Sequence, residues 1–106
     1  MILFIYSTNF DAVTYSLVGG KVFTKTFQAD SHKSHEVLGF LEQFLQSSTI
    51  KAADIKKIIV SKGPGSYTGT RIGVTHAMAL GFAWNIPVKA LEGEKFLHEL
   101  SRAIGK

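Results

Sequence analysis

The sequence of 106 residues predicts an α/β fold, a mixed five-stranded sheet with helices on its faces, in the order βββαβαβα. Two observations point there. Apolar and polar residues alternate with period two on both sides of a Gly19-Gly20 pair, as in a hairpin. Further on, three stretches of helical periodicity are separated by short apolar runs of strand length. No internal repeat, linker or low-complexity stretch interrupts this order, so residues 1–106 read as one domain.

Residues 2 to 8 are a short apolar run bounded by Ser7-Thr8-Asn9, and their β-branched content predicts a central strand buried on both faces. From Ala12 to Val18, Val13, Tyr15 and Leu17 alternate with Ala12, Thr14 and Ser16, giving a strand with two unlike faces. Gly19-Gly20 tolerates the positive φ of a tight turn, and Lys21 to Phe27 resumes the alternation. A first helix is predicted over Ser34 to Gln46, with Ser34 as its N-cap, Val37, Leu38, Phe40, Leu41, Phe44 and Leu45 at helical spacing, and Ser47-Ser48-Thr49 as its stop. Those six positions span an arc of about 160°, wider than the stripe of roughly 100° that one core contact needs.

Ile55 to Ser61 reads as a buried strand and Thr68 to Trp84 as a second helix. Gly69, Gly73, Ala77 and Gly81 recur at spacing four on that helix, a ridge almost without side chains that another backbone can approach closely. Its other sides are mostly apolar, which predicts cover on most sides, part of it from a second polypeptide. Asn85-Ile86-Pro87 breaks the helix, Val88 to Leu91 is a short strand, and Glu94 to Ile104 is a last helix capped by Gly105.

Composition narrows the classes. With 45% apolar and 19% charged residues the chain has the balance of a globular protein, and not the low hydrophobicity and high charge of a disordered one. The absence of cysteine excludes disulfides, thiolate metal ligands and a cysteine nucleophile, and suits a reducing compartment such as the cytoplasm. Met1 to Tyr6 carries no basic leader and its apolar run is too short for a membrane span. A net charge of +4 favours acidic partners, but the lysines are scattered and form no basic block for nucleic acid.

The segment Ser61-Lys62-Gly63-Pro64-Gly65-Ser66-Tyr67-Thr68-Gly69-Thr70-Arg71-Ile72-Gly73-Val74 takes a strand end through a glycine loop into a helix. Two readings of the loop stand side by side. The glycines and Pro64 can serve only a tight strand-to-helix turn. Alternatively Gly63, Gly65, Ser66, Thr68 and Gly69 cradle an anion at the helix N-terminus, with Arg71 adding charge. The segment is not a Walker A loop, because no Gly-Lys-Ser/Thr ends it.

Eleven consecutive positions here resemble the motif G-P-G-S-F/Y-T-G-x-R-I-G of the TsaB (YeaZ) family. Met1-Ile2-Leu3, the region of Thr8 and Ser16, and His35-Glu36 with Leu38 are similar to that family as well. The resemblance spans the whole chain and corresponds to the family's N-terminal half. It implies an actin-like ATPase (ribonuclease H-like) fold and a non-catalytic scaffold role, with no cofactor, in making threonylcarbamoyladenosine in tRNA. By the same resemblance the partners are a TsaD-like catalytic subunit and a TsaE-like ATPase, with a homodimer when alone and tRNA met only through the complex. The family's partner surface lies on the first two helices, which implies Val37, Phe40, Leu41, Phe44, Ile72, His76, Ala79 and Ala83 as contacts. The resemblance and the apolar surplus of those two helices agree.

One departure bears on chemistry. Relatives commonly read Asp-Thr-Ser after the first strand, where this chain has Tyr6-Ser7-Thr8, and tyrosine cannot stand in for a carboxylate ligand of Mg²⁺. Nucleotide hydrolysis is therefore not expected. His32 and His35 lack a third ligand at metal-site spacing, and His76 and His98 read as packed or solvated. Two alternatives to the scaffold remain: a nucleotide- or phosphate-binding module using Gly63 to Thr70, and a glycoprotease-like peptidase using Ser66, the latter resting on an old family label.

Overall fold

The computed structural model describes residues 1–9, 12–28, 36–63 and 67–105. Strands β1 (Ile2–Asn9), β2 (Ala12–Gly19) and β3 (Lys21–Gln28) form an antiparallel meander. Helix α1 (Glu36–Ser48), strand β4 (Lys57–Ser61), helix α2 (Tyr67–Trp84), strand β5 (Val88–Leu91) and helix α3 (Gly93–Ile104) follow. The sheet order is β3-β2-β1-β4-β5, with β4 parallel to β1 in the register Ile2↔Lys57 to Ile5↔Val60 and β5 parallel to β4. The mixed five-stranded sheet and the order βββαβαβα are those that the periodicities predicted.

The pleat sorts the core into two clusters, because neighbouring residues of a strand point to opposite faces. On one face Leu3, Ile5, Val13, Tyr15, Leu17, Ile58 and Val60 pack with Leu41 and Phe44 of α1 and Ala77 and Leu80 of α2. On the other, Phe4, Val18 and Ile59 pack with Phe96 of α3. Strand β1 is central and feeds both clusters, as its unbroken apolar run requires. Between Tyr6 and Asn9 the register with β2 shifts by one residue, a bulge at the carboxyl end of β1.

Several boundaries moved, each for a local reason. Ser47 and Ser48 do not stop α1. Their hydroxyls donate to the Phe44 carbonyl at 3.1 and 2.9 Å, so both serines sit inside the last turn. The helix stops at Thr49, whose φ of 57° is left-handed, with Ile50 N–H donating to Leu45 and Thr49 N–H to Gln46, the Schellman pattern. The expected start and N-cap at Ser34 lie outside the described residues. A 3₁₀ turn at Ala52–Asp54 precedes β4 and delays its start to Lys57, although Ile55 is buried. In the hairpin only Gly20 takes a positive φ, of 84°, while Gly19 closes β2 opposite Lys21. Gly105 caps α3 in the left-handed conformation, as expected. Among the described residues no helix is long and apolar enough to cross a membrane.

Candidate partner surface and glycine loop

Helix α2 is held to the sheet by the ridge of small residues. A Cβ on Gly73 would stand 3.0 Å from Cβ of Ser7, and one on Gly81 would stand 2.2 Å from Cγ2 of Val88, an overlap no neighbour absorbs unmoved. Ala77, between them, is fully buried. The backbone that approaches this ridge is therefore the chain's own sheet, at β1 and β5, and not a second polypeptide.

With that side committed, the opposite side of α2 faces outward. Arg71, Thr75, Met78, Ala79, Phe82 and Ala83 are exposed at helical spacing, with Met78 at 52% and Phe82 at 83%. From Met78 onward this stripe is entirely apolar. An 83% exposed phenylalanine beside exposed alanines is a surface suited to being covered.

Tyr15 ties both outer helices to the sheet. Its ring stacks on Phe44 of α1 at 5.7 Å, and its hydroxyl lies 2.9 Å from Nε2 of His76 on α2. Burial holds the His76 pKa down at about 4, because a charged imidazole would lose its water, and pushes the Tyr15 phenol up for the same reason. His76 is thus neutral at pH 7.

The residues expected at a partner surface divide accordingly. Ala79 and Ala83 lie on the exposed stripe. Leu41, Phe44 and His76 do not: all three are buried against β2 and its neighbours, since the sheet claims the same side of each helix that their spacing marked as apolar. The side chains of Val37, Phe40 and Ile72 lie outside those described. Met78 and Phe82 were not singled out by the sequence reading as outward-facing, although their apolar character was visible; only the side taken by the sheet shows which α2 residues remain outside.

At the carboxyl ends of β1 and β4 the glycine loop begins. Gly63 has φ 129° and its carbonyl accepts the N–H of Gly93, tying the loop to the start of α3. Gly65 and Ser66 lie outside the described residues, as do the side chains of Thr68 and of neighbouring Tyr67 and Thr70, while Gly69 lies in the first turn of α2 and Arg71 is exposed. The hydroxyls of Ser7 and Ser61, close by, are fully buried and have no hydrogen-bond partner among the described residues. Tyr6 is directed to the α3 face, its ring 5.8 Å from that of Phe96. His98 is exposed, and His32 and His35 lie outside the described residues. Among the described residues no group of three His, Cys, Asp or Glu could hold a metal ion.

Comparison with known proteins gives a consistent picture. Residues 26–93 match the family model described as TsaD: tRNA N6-adenosine threonylcarbamoyltransferase. Over 61 residues the chain is 43% identical to the tRNA threonylcarbamoyladenosine biosynthesis protein TsaB of Bacillus subtilis, covering 56% of this chain and 27% of that protein. It is 30% identical to the tRNA N6-adenosine threonylcarbamoyltransferase of Staphylococcus epidermidis, covering 92% of this chain and 35% of that one. Among solved structures, YeaZ from Pseudomonas aeruginosa superposes with a TM-score of 0.74 at 22% identity, over 86% of this chain and 44% of YeaZ. The chain spans about a third or less of the length of these curated relatives, and less than half of the solved one.

Proposed function

Because this chain belongs to the family of TsaD, the tRNA N6-adenosine threonylcarbamoyltransferase, and within it to the TsaB (YeaZ) type, we propose that it is a non-catalytic partner subunit in forming threonylcarbamoyladenosine in tRNA. The observation that carries this reading is the exposed apolar stripe of α2. Met78, Ala79, Phe82 and Ala83 present a continuous apolar strip on a rigid helix, and a helix–helix interface with a TsaD-type subunit would remove it from water. Phe82, aromatic and almost wholly exposed, is its natural anchor. The non-catalytic part follows the likeness to TsaB, and Tyr6, which offers no carboxylate for Mg²⁺, speaks against nucleotide hydrolysis by this chain. Association with a TsaE-like ATPase, a homodimer in the absence of TsaD, and a cytoplasmic setting belong to the same proposal.

The test is light scattering after size-exclusion chromatography, with the chain alone and then mixed with TsaD from the same organism. A stable one-to-one complex is expected, weakened by about tenfold or more in Phe82→Glu. Phe82 has so little buried contact that the substitution leaves the fold intact. A complex indifferent to Phe82→Glu and Met78→Glu would refute the surface, and no complex would refute the role.

One observation favours a second reading, a phosphate- or nucleotide-binding module. The hydroxyls of Ser7 and Ser61, without a partner among the described residues, lie at the carboxyl ends of parallel strands, where open α/β sheets bind ligands. Calorimetric titration with ATP and Mg²⁺ decides it; absence of heat at millimolar ligand ends that reading.

A further inference from the structure

Lysines that are scattered along the sequence are gathered by the fold. Strands β1 and β4 are parallel, and the β2–β3 hairpin turns beside their amino ends, so one row of residues crosses that end of the sheet. Lys21 stands opposite Gly19, a Cβ on Gly19 would lie 2.9 Å from Cγ of Met1, and the N–H of Lys56 donates to the Met1 carbonyl at 2.9 Å. Three strand spacings of about 4.8 Å put the backbones of Lys21 and Lys56 about 14 Å apart. Lys57 follows, paired with Ile2, and Lys51 is tied to the same turn by its N–H, which donates to the Asp54 carboxylate at 3.3 Å. Lys21, Lys51 and Lys56 are exposed and Lys57 is half-buried.

The α3 side of the molecule is different, because its charges interleave. Lys89 and Lys95 line one hollow together with Glu94 and Glu99, and Glu99 accepts Arg102 at 3.4 Å. At the amino end, among the described residues, four lysines face two carboxylates, Asp54 in the turn and Glu42 on α1 beside Lys51. That excess of positive charge draws a polyanion. The hollow next to Lys51 narrows the choice. It is open, about 540 Å³ in volume, with half-buried Leu45 and Ile50 beside exposed Gln46, Thr49, Glu42 and Lys51. Apolar surface takes the face of an unstacked base, and the amide, hydroxyl and carboxylate can bond to its edge, while the lysines meet phosphates. Glu42 would repel an acidic peptide, whereas it accepts a bond from a base amine.

We propose that the amino end of the sheet is an RNA-binding surface, on which Lys21, Lys51, Lys56 and Lys57 hold the phosphate backbone and the hollow beside Lys51 takes an unstacked base. That the RNA is tRNA, touched directly by this chain, rests on the role proposed above; the surface itself does not. The glycine loop begins at the opposite end of β1 and β4, and none of the four lysines lies on α2.

The test is fluorescence anisotropy of a labelled, unmodified tRNA transcript titrated with the chain over a range of salt. With three or four phosphates neutralised, the expected Kd is on the order of 10⁻⁵ M at low salt, and the logarithm of the association constant falls with the logarithm of salt at a slope of about −2 to −4. Lys21→Ala and Lys51→Ala are each expected to weaken binding and to make that slope shallower by about 1. Lys95→Ala removes the same charge on the α3 side and is expected to alter neither. All three lysines are exposed, and circular dichroism of each variant verifies the fold. Phe82→Glu is expected to leave RNA binding intact while it breaks the TsaD complex, so the surface and the subunit role fail separately. No binding, or an equal loss in Lys95→Ala, overturns the proposal. So does equal binding, at the same salt, to polyglutamate or to vesicles of anionic phospholipid, which would assign this end to another polyanion.

Discussion

Tyr15 and His76 are 61 positions apart in sequence, yet together they decide how α2 meets β2. A neutral imidazole is the only form the site tolerates without loss, and this gives a pH dependence with a definite sign. The folded-state pKa of about 4 lies below the ordinary 6.5, so between these values the unfolded chain binds more protons than the folded one. Stability therefore rises with pH from 4 to 6.5 and falls as pH drops through that window, by about 2 to 3 kcal/mol across it. Urea unfolding of the native chain and of His76→Gln checks this. The variant, which has no group to titrate there, is expected to show a flatter profile between pH 4 and 6.5, and equal slopes would remove His76 as the source. The Schellman turn at Thr49 is a second residue-scale feature that spelling alone did not give. Threonine is an unusual left-handed residue, and only the paired carbonyls of Leu45 and Gln46 show why the chain turns there.

At the scale of elements, α2 shows best how far a pattern can be read. Spacing four among Gly73, Ala77 and Gly81 announced a close backbone approach, and the approach exists; its partner is the sheet. Alanine is normally the better helix former by about 1 kcal/mol, so at a free position Gly81→Ala would stabilise. Here the new Cβ would meet Val88 Cγ2 at 2.2 Å and the Ile86 carbonyl oxygen at 3.1 Å. Gly81→Ala is therefore expected to destabilise by about 1 to 3 kcal/mol in denaturant unfolding. Because the nearer obstacle is one methyl group, adding Val88→Ala should recover part of the loss relative to Val88→Ala alone, a coupling a double-mutant cycle reads directly. Additive losses would place the strain elsewhere. Helix α1 gives the complementary case: Leu41 and Phe44 were legible as apolar, but the same mark fits a core face and a partner face.

Across the whole molecule, the strand order sets a gradient of protection. Strands β1 and β4 lie inside the sheet and are buried on both faces, whereas β3 is an edge with one face open. Hydrogen exchange under native conditions is expected to be slowest for Leu3 to Ile5 and Ile58 to Val60, and faster by orders of magnitude for Lys21 to Lys25. Uniform exchange would mean that the sheet opens only as a unit. The apolar stripe of α2 is a consequence of this layout, since α2 has more apolar surface than the sheet uses.

Element type and order followed from the sequence alone, because period two and period 3.6 are local properties of the backbone that Val13, Tyr15, Leu17 and the α3 residues Phe96, Leu100 and Ala103 express without help, although Leu97 and Ile104, whose spacing also placed them inside, are exposed. The family resemblance was legible too, in eleven consecutive residues of the glycine segment. Tertiary structure alone decided which way each apolar stripe turned. Leu41, Phe44 and His76 went to the core and Met78 and Phe82 to the surface, because facing is set by contacts between segments far apart in the chain, and spacing along one helix carries no record of what lies across from it.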